Sequence, residues 1–189
     1  MTKIILPNAA ILLIDLQKDF LDCKEGRMPV DGVGSEEVIK TANEIFAKKI
    51  LADAVPVLIV SKFPKAASIA NFFRRKAALA GSLGAEIDKR ILKPESTAVF
   101  EKSGSSAFSN PELADYLRNR DVKDLYVLGV FAEGCVRATV LDAIKMGFNV
   151  CVIENAVASN AAWKKQFALW AMNRAGALVE KMIAQDYAA

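Results

Sequence analysis

Apolar positions along this chain fall into two kinds of run. Residues 9–14 (AAILLI), 55–60 (VPVLIV), 125–130 (LYVLGV) and 148–153 (FNVCVI) are short and almost continuously apolar. Runs of that length without alternation fit strands covered on both faces of a parallel sheet. Thr97–Phe100 predicts a further short strand and Ala177–Val179 a sixth. Between them the apolar spacing turns helical. Val38, Ala42, Ile45, Phe46 and Ile50 form one face, with Ser35 as the expected cap and Glu36 and Glu37 in the first turn. Asn110 is placed to cap a helix with Pro111 at its first position, and with Leu113, Tyr116 and Leu117 inward. Cys135 opens a helical pattern with Val136, Val140, Ala143 and Ile144 on one face, which Gly147 is placed to end. Ala158–Arg174 predicts a long amphipathic helix with Trp163, Phe167, Trp170 and Ala171 on its apolar side. Residues 66–92 suggest a helix broken near Gly81–Gly84, in a segment of the kind that covers an active site; packing is the expected role of Phe72 and Phe73.

Strands alternating with helices in short units predict an α/β fold. The expected architecture is a single Rossmann-like domain over residues 1–189, with three layers (α/β/α) and a mostly parallel sheet of about six strands. A length of 189 residues supports one sizeable core, and 53% hydrophobic with 25% charged residues describes an ordinary globular chain. The net charge of +3, with Arg74–Lys76 as a short basic cluster, gives no argument for nucleic acid. No apolar run reaches the roughly 20 residues needed to cross a bilayer. The first residues lack the apolar core and cleavage site of a secretory signal. Three cysteines at no metal-like spacing predict free thiols in a reducing, cytoplasmic setting.

Histidine is absent from the whole chain. Ser-His-Asp and Cys-His catalysis are thereby excluded, as is a histidine-based metal site. Chemistry must come from other side chains. Asp15 directly follows one apolar run, and Lys102 follows another at a short distance. Cys135 stands where a strand ends and a helix begins. In an open parallel sheet all three would reach the edge where ligands bind. A nearby ammonium and a helix N-terminus would favour thiolate, and an aspartate could accept the thiol proton and return it to a leaving amine. The reaction class would be acyl transfer to sulfur followed by hydrolysis. Each residue also has a plain structural reading: a buried small thiol, a capping aspartate, a solvated lysine. Cys151, inside a strand, is expected to be an inert core thiol.

Three segments together resemble the isochorismatase-like cysteine hydrolases, which include nicotinamidases, N-carbamoylsarcosine amidases and ureidoacrylate amidohydrolases. ILLIDLQKDF at 11–20 resembles the family's apolar strand followed by D-x-Q-x-x-F. FEKSGSSAF at 100–108 resembles its K-x-x-x-S-A-F segment, a context that the rival Lys93 lacks. GVFAEGCVRATVLDAIKMGFNVCVIENAVAS at 129–159 resembles its cysteine loop, helix and following strand. The resemblance implies a triad in which Asp15 exchanges the proton, Lys102 stabilises the thiolate and Cys135 is the nucleophile. It implies a cis peptide between Val130 and Phe131, with the N–H groups of Phe131 and Cys135 facing the oxyanion. Gln17, Phe20, Phe63 and Phe131 are the expected substrate-pocket residues. The expected activity is cleavage of a C–N bond in a small amide or ureide, with no cofactor, by a homo-oligomer. The alternative is a non-catalytic binding or assembly protein on the same fold.

The chain departs from the pattern at several places. Ala132 stands for a threonine, Gly134 for an aromatic residue and Phe131 for a small one. Glu154-Asn155 replaces the aspartate of the later turn. Nicotinamidases of the family carry an Asp/His metal site after the second strand, where this chain has SKFPK at 61–65. That substitution predicts a metal-free site.

Overall fold

The computed structural model describes residues 8–47, 54–66 and 68–182. Six strands form one all-parallel sheet: β1 (Ala9–Ile14), β2 (Val55–Ser61), β3 (Ala98–Lys102), β4 (Asp124–Val130), β5 (Asn149–Ala158) and β6 (Leu178–Glu180). Their spatial order is β3-β2-β1-β4-β5-β6. The chain winds outward from β1 to β3, then returns to the other side of β1 as β4. The crevice at that reversal, outside the strands' C-terminal ends, is where open sheets of this type bind ligands.

Alternate residues of β1 serve two cores. Ala9, Ile11 and Leu13 face one side, where the short helix α1 (Lys18–Leu21) adds Phe20 and Leu21 and helix α2 (Gly32–Ala47) contributes Val38, Ala42 and Ile45. Ala10, Leu12 and Ile14 face the other. There α4 (Pro111–Arg118), α5 (Arg137–Lys145) and α6 (Ala162–Arg174) bring Leu113, Leu117, Val140, Ala143, Leu169 and Met172. Burial on both faces is the reason these strands read as continuous apolar runs.

Local chemistry sets the helix ends. Asn110 accepts a hydrogen bond from Glu112 N–H, with Pro111 opening α4. Gly147, at φ 89°, follows the end of α5 in the left-handed conformation that costs glycine little. The cap of α2 lies earlier than expected. Asp31, not Ser35, accepts from the Gly34 N–H, and Ser35 sits within the helix, donating its hydroxyl to Leu21 O at 2.6 Å. Ile50 lies outside the described residues.

The largest departure from the apolar pattern is α6. The helix starts at Ala162, because residue 158 still belongs to β5. Its buried face is Ala168, Leu169 and Met172, while Trp163, Phe167 and Trp170 are 70%, 54% and 59% exposed. Lys164 and Arg174 lie over the Trp163 and Trp170 rings, and Phe167 packs against Trp170. The aromatic stripe faces outward, and Ala168, Leu169 and Met172 cover the sheet instead. Residues 66–92 also differ from expectation. Helix α3 is confined to Ser68–Phe73, and the rest is turns with one 3-10 turn at Leu83–Ala85. Phe72 and Phe73 are exposed and meet edge to face, so they pack no core. Cys151 is only partly buried.

Candidate active site

Four strand ends converge at the crevice. Asp15 follows β1 at φ 55°, a left-handed conformation that aspartate tolerates better than most residues. Its backbone N–H bonds Ile59 O at 2.9 Å, which ties the residue to β2. Ser61 and Lys102 are the last residues of β2 and β3, paired with each other in the sheet register. Beyond β4 the Val130–Phe131 peptide is cis, and residues 132–136 make one wide helical turn before α5 begins. Cys135 is held inside that turn, not at the first position of the helix. Gly129 makes the close approach possible: at φ 127°, a side chain there would lie 2.1 Å from Ile14 O.

These ends bring Asp15, Lys102 and Cys135 into direct contact. Lys102 Nζ lies 3.0 Å from Asp15 Oδ2 and 3.2 Å from Cys135 Sγ. It also reaches Gly104 O at 3.3 Å and Ser61 Oγ at 2.8 Å. Ser61 in turn donates to Asp15 Oδ1 at 2.9 Å. Asp15, Ser61 and Lys102 are buried.

The electrostatics differ from the expected thiolate. Burial, and then the negative Asp15 carboxylate, push the Cys135 thiol up to about 12; Lys102 opposes them without prevailing. Burial alone would lower the Lys102 pKa, but attraction to Asp15 and Cys135 raises it. Near neutral pH the site therefore holds an ammonium and a protonated thiol. The thiol is within hydrogen-bonding reach of Asp15. One lysine does not outweigh desolvation beside a carboxylate.

The expected pocket residues fall into two groups. Phe20 and Phe131 meet edge to face, with ring centroids 5.8 Å apart, and Phe131 is only partly buried. Phe63 is buried beneath Arg74, whose guanidinium carbon lies 3.9 Å from the ring centroid. Gln17 presents no free amide proton to a ligand. Its carboxamide donates to Ser61 O at 2.8 Å and Ala85 O at 2.7 Å, and accepts from Ser61 N–H at 2.7 Å. It is a brace beneath the site rather than a wall of it. Gln17→Ala would strand three buried backbone groups, each costing about 1–3 kcal/mol. A stability loss of about 3 kcal/mol or more in urea titration is expected; a loss below about 0.5 kcal/mol would remove the brace.

Ser61 was legible only as the first residue of a loop. The available signal was its position, directly after an apolar strand as Asp15 is. Asp19 is a second buried carboxylate, but its oxygens accept from Arg27 and Ala78 N–H groups. It anchors the 74–85 segment instead of facing the crevice.

The segment after β2 offers a metal few donors. Lys62 pairs with Glu101, Phe63 lies under Arg74, and Lys65 adds a second cation. Among the described residues no three His, Cys, Asp or Glu side chains cluster as a metal site would require. The residues present do not fit a zinc ion.

The open parallel sheet thus brings a carboxylate, an ammonium and a thiol together at its switch point. Residues 9–183 match the Isochorismatase domain model, and the chain belongs to that family. Nicotinamidase of Escherichia coli strain K12 is 27% identical over 180 residues, covering 78% of this chain and 82% of its own. N-carbamoylsarcosine amidase of an Arthrobacter species is 44% identical over 69 residues, 36% of this chain and 26% of its own. A probable inactive nicotinamidase of Arabidopsis thaliana is 26% identical over 162 residues, 80% and 81% of the two chains. Among solved structures, the pyrazinamidase of Pyrococcus horikoshii in complex with zinc superposes with a TM-score of 0.81 at 29% identity, over 93% of this chain and 100% of its own. The protein is therefore an isochorismatase-like hydrolase by family.

Proposed function

We propose that this protein is a metal-independent cysteine hydrolase that cleaves the C–N bond of a small amide or ureide. The observation that carries this reading is the shared ammonium: Lys102 Nζ within 3.2 Å of both Asp15 Oδ2 and Cys135 Sγ. Cys135 Sγ attacks the substrate carbonyl carbon while its proton passes to Asp15. The C=O π pair moves onto oxygen, and the N–H groups of Phe131 and Cys135 receive that negative charge. Asp15 then delivers the proton to the leaving nitrogen as the C–N bond breaks. A thioester remains on Cys135. Water attacks it, Asp15 takes the water proton, and the C–S bond breaks. The sulfur recovers that proton and the acid product leaves. Lys102 stays protonated and compensates the charge on sulfur during both steps. A thiol that is neutral at rest suits this order, because proton transfer and attack occur together.

The test is a panel of small amides and ureides assayed for ammonia release, with and without prior dialysis against EDTA. Turnover of at least one compound is expected, unchanged by the chelator. Loss of activity on chelation would overturn metal independence, and no turnover across the panel would favour the binding-protein alternative. That alternative draws on the altered loop at Phe131, Ala132 and Gly134 and on the probable inactive relative.

The same reading includes homo-oligomerisation and a cytoplasmic setting. The exposed rings of Trp163, Phe167 and Trp170 support the former, since monomers rarely leave such apolar clusters in water. Sedimentation velocity is expected to show a species heavier than the 20.5 kDa chain; a monomer at all concentrations would dismiss it.

A further inference from the structure

We propose that Ser61 is a positioning residue of this site, a neutral spacer that keeps the Lys102 ammonium shared with Cys135 instead of paired with Asp15 alone. The inference rests on the roles assigned to Asp15, Lys102 and Cys135 above.

An ammonium has three protons. Lys102 Nζ has four acceptors within 3.3 Å, and the nearest is Ser61 Oγ at 2.8 Å, not the carboxylate at 3.0 Å. In a buried site Coulomb attraction favours the charged acceptor over the thiol and the carbonyl. Left alone, the ammonium would close on both carboxylate oxygens and leave the sulfur. Ser61 opposes this from two sides. Its oxygen accepts one Lys102 proton, and its O–H occupies Asp15 Oδ1. Only Oδ2 is then left to the ammonium, and a proton remains for Sγ.

The hydroxyl can act this way only if its backbone cannot drift. Gln17 supplies that restraint, gripping both Ser61 N–H and Ser61 C=O. The strand register does the rest, since Ser61 is paired with Lys102 itself. A hydroxyl that merely filled space at the end of β2 would have no reason to bridge the two charged groups.

The experiment follows Cys135 alkylation by iodoacetamide across pH 7–11, read by intact mass on the full chain. A Cys23→Ser, Cys151→Ser background leaves one thiol, and no substrate is needed. In that background Ser61→Ala is expected to slow alkylation at pH 8 by about tenfold, equivalent to about one pH unit of upward shift. Ser61→Thr is expected to restore the rate, and Ser61→Val, of the same shape without the hydroxyl, is not. This pair isolates the hydroxyl should the alanine variant fold poorly. Lys102→Met is expected to slow alkylation at least as much. Adding Ser61→Ala to it should have no further effect, because the serine acts through the lysine. A Ser61→Ala profile like that of the parent, beside a shifted Lys102→Met profile, overturns the spacer while leaving the triad reading intact. Additive losses in the double variant, or equal rates for Thr and Val, overturn it as well. An unshifted Lys102→Met profile overturns both the spacer and the role given to Lys102.

Discussion

Cys135→Ala is expected to lower turnover of any accepted amide by at least about 10³-fold while the fold survives. The sulfur is the nucleophile in the proposed mechanism and lies against Lys102, and the substitution removes a partly buried atom from a turn fixed by other bonds. Gly134 and Val136 N–H groups both bond to Phe131 O, and Thr139 Oγ1 donates to Cys135 O, and neither arrangement needs the thiol. Circular dichroism and the urea midpoint should therefore change little. The measurement is ammonia release by purified variant and parent at equal concentration. Retained turnover in the variant would eliminate the covalent route, whatever the substrate.

Asp15→Asn is expected to separate catalysis from thiol acidity. Turnover should fall by about 10²–10⁴-fold, the usual worth of a positioned proton acceptor. Alkylation should move in the opposite sense. Burial is the first cause that holds the thiol up to about 12, and the Asp15 charge is the second. With the charge gone and Lys102 still present, Cys135 ionises at lower pH and is alkylated faster at pH 8. Loss of structure would also expose the thiol and speed its alkylation, so the variant's circular dichroism and urea midpoint must match the parent's. Slow turnover with an unchanged alkylation profile would show that the Asp15 charge does not act on the thiol, and would overturn the proton transfer assigned to it.

A thiol held neutral also accounts for a feature of the layout. Cys135 lies inside the 132–136 turn and beside a carboxylate, so no thiolate waits at rest to react with stray electrophiles. In the proposed mechanism, activation waits until Asp15 takes the proton. This ties burial, the least specific property of the site, to its selectivity.

Local rules carried much of the architecture. β1 runs over Ala9–Ile14 as its apolar run predicts, and β4 and β2 differ by one residue at one end. Asn110 with Pro111 and the Gly147 terminus behave as cap chemistry requires. The α6 face failed for an identifiable reason. Periodicity reports that a stripe is apolar, not whether the sheet or another surface will cover it. Trp163, Phe167 and Trp170 satisfy the pattern and still face outward, while Ala168 meets the sheet. Residues 66–92 depart from the helical expectation because their alanine-rich sequence favours helix locally, whereas Asp19, Gln17 and Arg27 hold the segment in turns through long-range bonds to Ala78, Ala85 and Lys76.

The same division holds at the site. The sequence by itself determined the side-chain types available, the absence of histidine, and the placement of Asp15, Lys102 and Cys135 at strand ends, since these follow from composition and local periodicity. Only the tertiary structure decided the rest: that Ser61 joins them, that Gln17 braces Ser61, and that the thiol is neutral. Each depends on groups that the chain separates by tens of residues, such as Gln17 from Ser61 by 44 and Lys102 from Cys135 by 33. Hydrogen bonding and desolvation act over a few ångströms, and only the folded sheet sets those distances.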